Sequence, residues 1–105
     1  MSKYHNRKTE VNGVMFDSSA EALRYRELLL LVTAGEISEL FIHPKFQLDV
    51  NNIHLGCYIA DFQYNDHERQ KIVVEDVKGV KTPVYRLKKK LMKALYGIEI
   101  FEVQA

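Results

Sequence analysis

The first patterned segment of the chain is an apolar run that predicts a helix. Ser18, with Glu21 three residues later, satisfies the capping-box pattern immediately before this run. The helix is predicted to extend from about Ser19 to Thr33. Ala34-Gly35 supplies its C-terminal stop, because glycine tolerates the positive φ at which helices commonly end.

A second amphipathic segment lies near the end of the chain. Thr82 suits the N-cap, Pro83 suits the first helical position, and Gly97 closes the helix. The remaining side chains are mostly basic, and we expect them to project away from the sheet. The apolar positions recur at spacings of three and four and predict the face that docks on the sheet: Val84, Leu87, Leu91 and Leu95.

Four other segments favour extended structure. His43-Pro44 disfavours helix, and the residues after it alternate between apolar and polar, which is typical of a half-buried strand. The other segments are rich in aromatic and β-branched residues and are bounded by turn signals. The predicted strands are Leu40–Val50, Cys57–Tyr64, Lys71–Gly79 and Ile98–Val103.

The order of these elements predicts the fold class. The polar segment Asn65–Gln70 separates the second strand from the third, so we expect these two strands to form a hairpin. The whole order is then α-β-β-β-α-β. We therefore predict a mixed α/β fold around a four-stranded mixed sheet.

Length and composition limit the number of domains and the kinds of site. A chain of 105 residues, 47% hydrophobic and 28% charged, suits one globular domain. We expect a polar N-terminal arm over residues 1–12 and a single domain over residues 13–105. One cysteine, Cys57, excludes an internal disulfide framework, and the four histidines show no paired ligand spacing, so a zinc module is not expected.

No apolar stretch has the length of a signal-peptide core or a membrane span. The longest run, Leu28–Val32, is far below the roughly 20 residues that cross a bilayer. We therefore expect a soluble, reduced, cytoplasmic protein that has no membrane partner.

Three charged residues of the predicted hairpin should meet on one face. Side chains alternate between the faces of a strand, so Asp76 and Lys78 point the same way. If the hairpin loop has an even number of residues, the numbers of two directly opposed residues add up to an odd number. Asp61 then lies opposite an even-numbered residue and shares the face of Asp76 and Lys78. The same face should carry apolar residues farther along the strands: Ile59, Ile72 and Val74.

An odd-numbered loop would select a different acid. Glu75 would then share a face with Asp61, but Lys78 would lie on the other side of the sheet. Only the even-numbered loop brings two carboxylates and the lysine together, so the pattern favours Asp76.

The chemistry of these three residues indicates a metal site. Neighbouring aspartates raise each other's pKa unless a cation lies between them, and carboxylate oxygens suit Mg²⁺ or Mn²⁺ better than Zn²⁺. A metal held by Asp61 and Asp76 could bind a phosphate oxygen and lower the pKa of a water molecule. Lys78 could orient that water or stabilise the developing charge. The pattern predicts phosphodiester hydrolysis with Mg²⁺ as cofactor and Mn²⁺ as a substitute.

The residues around these acids resemble the motif of a known superfamily. Asp61 in Tyr-Ile-Ala-Asp-Phe and Asp76-Val77-Lys78 in Val-Glu-Asp-Val-Lys-Gly resemble the PD-(D/E)xK nucleases, whose restriction-endonuclease-like core is also α-β-β-β-α-β. The resemblance covers about residues 13–103. It is closest to small phage-type endonuclease-like proteins that have been grouped as a domain of unknown function. It is looser to archaeal Holliday-junction resolvases and to endonuclease subunits of heteromeric transposases.

The resemblance implies two further metal ligands. A glutamate on the first helix often completes the superfamily's metal site, and Glu21 is the matching position. The backbone carbonyl of Val77 is also implied as a ligand. Two positions depart from the superfamily, since Ala60 stands where proline is usual and Asp76 stands where glutamate is commoner. Glu21 also fits a purely structural role as the third residue of a capping box.

The second predicted helix is strongly basic. A run of this kind usually forms a solvated helix face, but cations grouped near Tyr85 and Tyr96 could instead contact the phosphates of DNA. The formal charge of the whole chain is only +1, yet residues 81–93 contain six basic residues and no acid: Lys81, Arg86, Lys88, Lys89, Lys90 and Lys93. The arm could add further cations: Lys3, Arg7 and Lys8.

The function predicted from these features is that of a metal-dependent DNA endonuclease. Its catalytic residues would be Glu21, Asp61, Asp76 and Lys78. A small single domain has little room for target recognition, so we expect selectivity for branched or junction DNA. We also expect a homodimer or a protein partner that supplies specificity.

Two alternatives belong to other functional classes. One is a catalytically silent nucleic-acid-binding or assembly module, in which mutually repelling acids would serve no purpose. The other is a protein-interaction domain in which these acids are incidental. In that case Asp61→Asn would leave the metal-free fold unchanged or more stable, with no effect on DNA binding or cleavage.

Overall fold

The computed structural model describes residues 8–105. Residues 1–7 of the predicted arm, with its cations Lys3 and Arg7, lie outside the described residues. The last part of that arm is built into a hairpin, since β1 (Thr9–Val11) pairs antiparallel with β2 (Val14–Phe16). Among the described residues, no helix is long and apolar enough to cross a membrane.

The principal sheet has four strands and a helix on each side. The helices are α1 (Ser19–Thr33) and α2 (Pro83–Tyr96). The strands of the sheet, in hydrogen-bonded order, are β3 (Ile37–Ile42), β6 (Phe62–Asp66), β7 (Lys71–Lys78) and β8 (Phe101–Gln104). Strands β7 and β8 run parallel and the other neighbours run antiparallel. A separate hairpin contains β4 (Lys45–Val50) and β5 (Ile53–Ile59). Without the two hairpins the elements follow α-β-β-β-α-β, so the predicted fold class and mixed sheet are confirmed.

Both helices begin and end where their capping residues predict. The hydroxyl of Ser18 accepts a hydrogen bond from the Glu21 backbone N–H at 3.2 Å. The hydroxyl of Thr82 accepts one from the Tyr85 N–H at 3.1 Å, and Gly97 ends α2 with a φ of 67°. These local contacts satisfy N–H groups that have no partner inside a helix.

Two predicted strands are wrong as continuous elements. Leu40–Val50 is divided between β3 and β4, because His43 adopts a φ of 54° and a proline follows it. Cys57–Tyr64 is divided between β5 and β6 at Ala60-Asp61, where the chain leaves the β4–β5 hairpin and enters the principal sheet. Two backbone hydrogen bonds fasten this crossing, from His43 N–H to the Asp61 carbonyl at 2.9 Å and from Ala60 N–H to the Pro44 carbonyl at 3.1 Å.

The principal sheet separates two hydrophobic cores. The core beneath α1 contains Phe16, Leu28, Phe62 and Val73, whereas the core beneath α2 and the β4–β5 hairpin contains Leu48, Tyr58, Val74, Tyr85 and Met92. Neighbouring residues of β7 therefore face different cores, as strand alternation requires. This alternation also decides which charged residues of β7 share a face.

The predicted docking face of α2 is wrong in part. Tyr85 and Met92 are buried against the sheet, and Leu91 packs beside them. Their side chains fill the space between helix and sheet, so the other residues of the predicted docking face point outward. Val84, Leu87 and Leu95 are 61%, 58% and 37% exposed.

The predicted apolar face of the hairpin is also only partly buried. Val74 lies in the core, but Ile59 and Ile72 are exposed. Ile59 belongs to the separate β4–β5 hairpin, and Ile72 lies outside the part of β7 that pairs with β8.

Candidate metal centre

The register of the β6–β7 hairpin brings Asp61 next to Asp76. Phe62 opposes Glu75, so opposed residues have the odd sum expected for an even-numbered loop. Asp61 directly precedes β6, and its backbone N–H donates to the Glu75 carbonyl at 3.2 Å. Its Oδ2 accepts a hydrogen bond from the Val77 N–H at 2.6 Å, which aims the side chain along β7.

The carboxyl groups of Asp61 and Asp76 are neighbours on one face of the sheet, because Asp61 N–H bonds to the Glu75 carbonyl and Asp61 Oδ2 accepts from the Val77 N–H. Burial, followed by the hydrogen bond with Asp76, raises the pKa of Asp61 to about 8, although the Val77 N–H lowers it. Asp76 is only 3% exposed. In the metal-free protein near neutral pH, the pair therefore holds a proton, and a divalent cation could replace it.

Two further groups hold Asp76. The hydroxyl of Tyr58 donates a hydrogen bond to Oδ2 of Asp76, and the Lys78 ammonium lies 3.5 Å from the same oxygen. The Lys78 ammonium also lies 4.3 Å from the centre of the Tyr85 ring, a cation–π contact. The predicted acid–lysine pair is thus fixed on the α2 side of the sheet.

The side chain of Glu21 reaches this region from the first turn of α1. One possible ligand atom from each of Glu21, His43 and Asp61 lies within 4.8 Å of the other two. Burial and the charge of Asp17 raise the pKa of Glu21. Its backbone serves the helix cap while its carboxylate faces Asp61, so the structural and metal-binding roles are compatible.

Val77 is placed beside these acids. Its N–H binds Asp61, and with Glu21 it lines a cavity of about 460 Å³. Metal binding by the Val77 carbonyl, which the family resemblance implies, stays a prediction.

Glu75 has a separate environment on the α1 side of the sheet. Its side chain is fully buried and accepts two hydrogen bonds from Arg24, at 2.6 and 3.0 Å, and one from the Tyr64 hydroxyl at 2.6 Å. Glu75 is thus a partner of Arg24, and Asp76 is the acid that joins Asp61. Because Arg24 follows Glu21 by three residues in α1, its ion pair also ties the glutamate's helix to β7.

The available donors fit a hard or borderline divalent ion. Carboxylate oxygens from Glu21 and Asp61 suit Mg²⁺ and Mn²⁺, and the imidazole of His43 is compatible with a transition metal. Asp76 adjoins this group through Asp61 and does not belong to the set of ligand atoms within 4.8 Å of one another. The half-buried Asp61 carboxyl beside the buried Asp76 supplies the electrostatic reason for a cation at this position.

The basic residues of α2 lie largely beside β8, contrary to the expected projection away from the sheet as a group. Lys81 and Lys89 form ion pairs with Glu102 at 2.9 and 3.1 Å, and Lys93 pairs with Glu99 at 2.6 Å. They line a cavity of about 610 Å³ that also includes basic residues without an ion pair in the described part of the chain: Arg86 and Lys90.

Of the two aromatic residues expected near these cations, Tyr85 lies beside them, because its hydroxyl and the Lys89 ammonium both contact Oε2 of Glu102. Tyr85 is buried, and its hydroxyl donates to Glu102 at 2.7 Å. Tyr96 instead donates to the Gln47 carbonyl at 2.6 Å. Lys88 is half-buried and does not line the cavity. The charge available to a polyanion is therefore smaller than the sequence count suggests.

A family match covers the whole candidate site. One family's sequence profile matches residues 1–99 of the chain. The chain belongs to the DUF1064 family. This family is described as a protein of unknown function, so DUF1064 membership assigns no reaction or ligand. No curated protein matches the chain.

Sequence reasoning did not assign two residues of this DUF1064 site. His43 reaches Glu21 and Asp61 only because the chain turns sharply between β3 and β4. Tyr58 reaches Asp76 because the β4–β5 hairpin folds over the sheet. The available signals in the sequence were the position of His43 beside a proline and the position of Tyr58 before Asp61. Neither signal identifies the residue that the side chain contacts.

Proposed function

We propose that this protein is a metal-dependent DNA endonuclease that hydrolyses phosphodiester bonds. The observation that carries the proposal is the placement of Asp61 beside β7, held by the Glu75 carbonyl and the Val77 N–H on either side of Asp76, with Lys78 3.5 Å from Asp76. Glu21 extends the cluster from α1. The resemblance to PD-(D/E)xK nucleases supports the proposal, because their acids and lysine occupy the corresponding strands of an α-β-β-β-α-β core.

The side chains have distinct roles in the proposed reaction. Asp61, Asp76 and Glu21 would hold Mg²⁺ or Mn²⁺, which when bound would polarise the phosphate and lower the pKa of a water molecule. Lys78 would orient the attacking water or stabilise negative charge on the phosphate. Its contacts with Asp76 and the Tyr85 ring restrict the ammonium to this region.

The basic cavity beside α2 supports contact with a DNA backbone. Arg86 and Lys90 line it without an ion pair among residues 8–105, and Lys81 and Lys89 lie around Glu102. Lysine and arginine contacts to phosphate position a duplex without reading its sequence. We therefore extend the proposal to selectivity for the shape of branched or junction DNA.

A homodimer would supply two sites for paired cuts, and a protein partner is the other source of specificity proposed for this domain. Sedimentation of the protein alone and with a four-way junction tests the dimer. A monomer in both samples would contradict it without affecting the chemistry of one site.

Cleavage of end-labelled DNA tests the proposed reaction. Linear duplex, single-stranded, flapped and four-way-junction DNA would be compared with Mg²⁺, Mn²⁺ or EDTA. We expect metal-dependent internal cuts that favour branched DNA, and a loss of roughly 10²–10³-fold in Lys78→Ala. The matched control is Lys71→Ala, which removes an exposed lysine from the other end of β7 and should retain activity.

The negative outcomes separate the alternatives. DNA binding by folded protein without cleavage would favour the catalytically silent module. Equal cleavage by the wild type and Lys78→Ala would contradict the assigned chemistry. Neither binding nor cleavage by folded protein would favour the protein-interaction domain.

A further inference from the structure

His43 lies between β3 and β4 and faces the proposed metal centre. Its imidazole offers a ligand atom within 4.8 Å of those offered by Glu21 and Asp61. No family motif or histidine spacing in the chain marks this residue. Its placement follows from the fold, which brings the end of β3 against the start of β6 and the first turn of α1.

The backbone holds His43 directly against Asp61. The His43 N–H donates to the Asp61 carbonyl at 2.9 Å, and the next residue, Pro44, accepts a bond from Ala60 at 3.1 Å. His43 also has a φ of 54°, an uncommon conformation for a residue with a side chain. Its ring packs edge-on against the buried Phe16 ring, with centroids 6.1 Å apart. These contacts couple the position of the imidazole to that of the carboxylate.

The imidazole of His43 is free to bind a ligand. Within residues 8–105 it accepts or donates no side-chain hydrogen bond, whereas the other two histidines there are engaged. His54 bonds to Asp49 at 2.6 Å, and His67 bonds to Ser38 at 2.8 Å and to the Gly35 carbonyl at 2.7 Å.

The cluster spacing fits a single ion. In octahedral coordination with bonds of about 2.1 Å, neighbouring ligand atoms lie roughly 3 Å apart and opposite ones about 4.2 Å apart. The three ligand atoms lie within 4.8 Å of one another, so they would have to approach by at most about 0.6 Å to reach the larger of these separations. Imidazole nitrogen favours transition metals, whereas carboxylates alone suit Mg²⁺ as well as Mn²⁺.

We infer that His43 is a metal ligand alongside Glu21 and Asp61, and that it makes this centre prefer Mn²⁺ to Mg²⁺. The inference rests on the metal centre of the proposed nuclease, but not on DNA being its substrate. It assigns the metal preference to one nitrogen ligand from the β3–β4 junction.

Mn²⁺ binding followed by electron paramagnetic resonance tests the ligand without using activity. The wild type, His43→Asn and His54→Asn would be titrated with Mn²⁺, and bound Mn²⁺ would then be competed with Mg²⁺. Asparagine at position 43 tolerates positive φ, so the substitution suits the local backbone. His54→Asn is the matched control, because it removes an imidazole that is paired with Asp49 on the β4–β5 hairpin.

We expect pulsed spectra to show coupling to a directly bound imidazole nitrogen in the wild type and His54→Asn, but not in His43→Asn. The Mn²⁺-to-Mg²⁺ affinity ratio should fall about tenfold or more only in His43→Asn. Absence of nitrogen coupling in the wild type, or an equal loss of affinity for both ions in His43→Asn, would overturn the inference.

The same samples distinguish failure of the ligand from failure of the proposed function. The wild type could bind Mn²⁺ without nitrogen coupling, and Asp61→Asn could abolish that binding. These two results together would contradict only the role of His43. Absence of binding of either ion to the wild type contradicts both the ligand and the metal centre. Nitrogen coupling without DNA cleavage supports His43 and contradicts the nuclease.

Discussion

Tyr58 donates a hydrogen bond through its hydroxyl to Oδ2 of Asp76, linking the β4–β5 hairpin to the central strand of the candidate site. Tyr58 is 4% exposed, and burial together with the Asp76 carboxylate raises the pKa of its phenol. The hydroxyl therefore stays protonated as a donor. Together with the Lys78 ammonium, which contacts the same oxygen, the hydroxyl restrains the carboxylate that we propose as a metal ligand.

Tyr58→Phe should lower the rate of metal-dependent DNA cleavage by roughly 10–100-fold, because supporting hydrogen bonds commonly have effects of this size. The ring remains in the core and DNA affinity should change little, while loss of the donor to the buried Asp76 should lower the free energy of unfolding by about 1–3 kcal/mol. Single-turnover cleavage and DNA-binding titrations measure these quantities. Tyr85→Phe is the control, since it removes a hydroxyl bonded to Glu102 but keeps the ring beside Lys78. An equal loss in both variants would contradict a specific role for Tyr58.

The Arg24–Glu75 ion pair predicts an asymmetric effect on stability. Arg24→Met leaves the fully buried Glu75 carboxylate without its cation and should lower the free energy of unfolding by roughly 3–5 kcal/mol. Glu75→Gln should cost less, because the amide oxygen can still accept from Arg24 and Tyr64 and the arginine reaches solvent. Urea unfolding of both single variants and the double variant measures the difference.

The double variant should recover part of the loss seen in Arg24→Met, because it no longer buries an unpaired charge. If the double variant lost the sum of the two single-variant losses in free energy of unfolding, Arg24 and Glu75 would act independently. That result would contradict the coupling of α1 to β7 through this pair.

The raised pKa of Asp61 predicts a pH-dependent cost in the metal-free protein. Folding raises this pKa from about 3.8 to about 8, so the folded state favours the protonated carboxyl. The loss of folding free energy caused by ionising Asp61 is absent near pH 4 and grows as the pH rises. It is complete above the pKa that Asp61 has in the folded protein. In EDTA, Asp61→Asn should therefore be more stable than the wild type by roughly 1–2 kcal/mol near pH 8.5, since water reaches the site and weakens the penalty.

Urea unfolding at about pH 4, 6 and 8.5 checks this dependence. The advantage of Asp61→Asn should vanish at the acidic end. Mn²⁺ or Mg²⁺ at high pH should stabilise the wild type and not the variant. A stability difference that is the same at every pH would contradict burial of an ionisable carboxyl as its cause.

Local sequence was sufficient for the helices and for the pairing of the two acids. Ser18, Thr82 and Gly97 act through groups within a few residues, so their effects are visible in the chain itself. The contact between Asp61 and Asp76 follows from strand alternation and the parity of one loop. Neither inference required knowledge of how distant elements pack.

The missed β1–β2 hairpin has a local signal in Asn12-Gly13, whereas the other missed features depend on distant packing. The turn at His43 sends β4 into a separate hairpin, and that hairpin delivers Tyr58 to Asp76. The rotation of α2 depends on how Tyr85 and Met92 fill the core, which spacing along the helix does not reveal. Glu102, the acid that pairs with Lys81 and Lys89, comes from β8.

The ion pairs of Glu102 predict that this acid weakens DNA binding. The hydrogen bonds from Lys81 and Tyr85, with a further contribution from Lys89, lower the pKa of Glu102 to about 2, so it is charged at neutral pH. Glu102→Gln should free Lys81 and Lys89 to contact phosphates, tightening DNA binding and steepening its salt dependence. Binding titrations over a range of salt concentrations measure both effects. Glu68→Gln makes the same charge change at an exposed position on the β6–β7 loop and should alter the salt dependence less. Weaker binding by folded Glu102→Gln would instead show that Glu102 holds the lysines in the geometry that DNA needs.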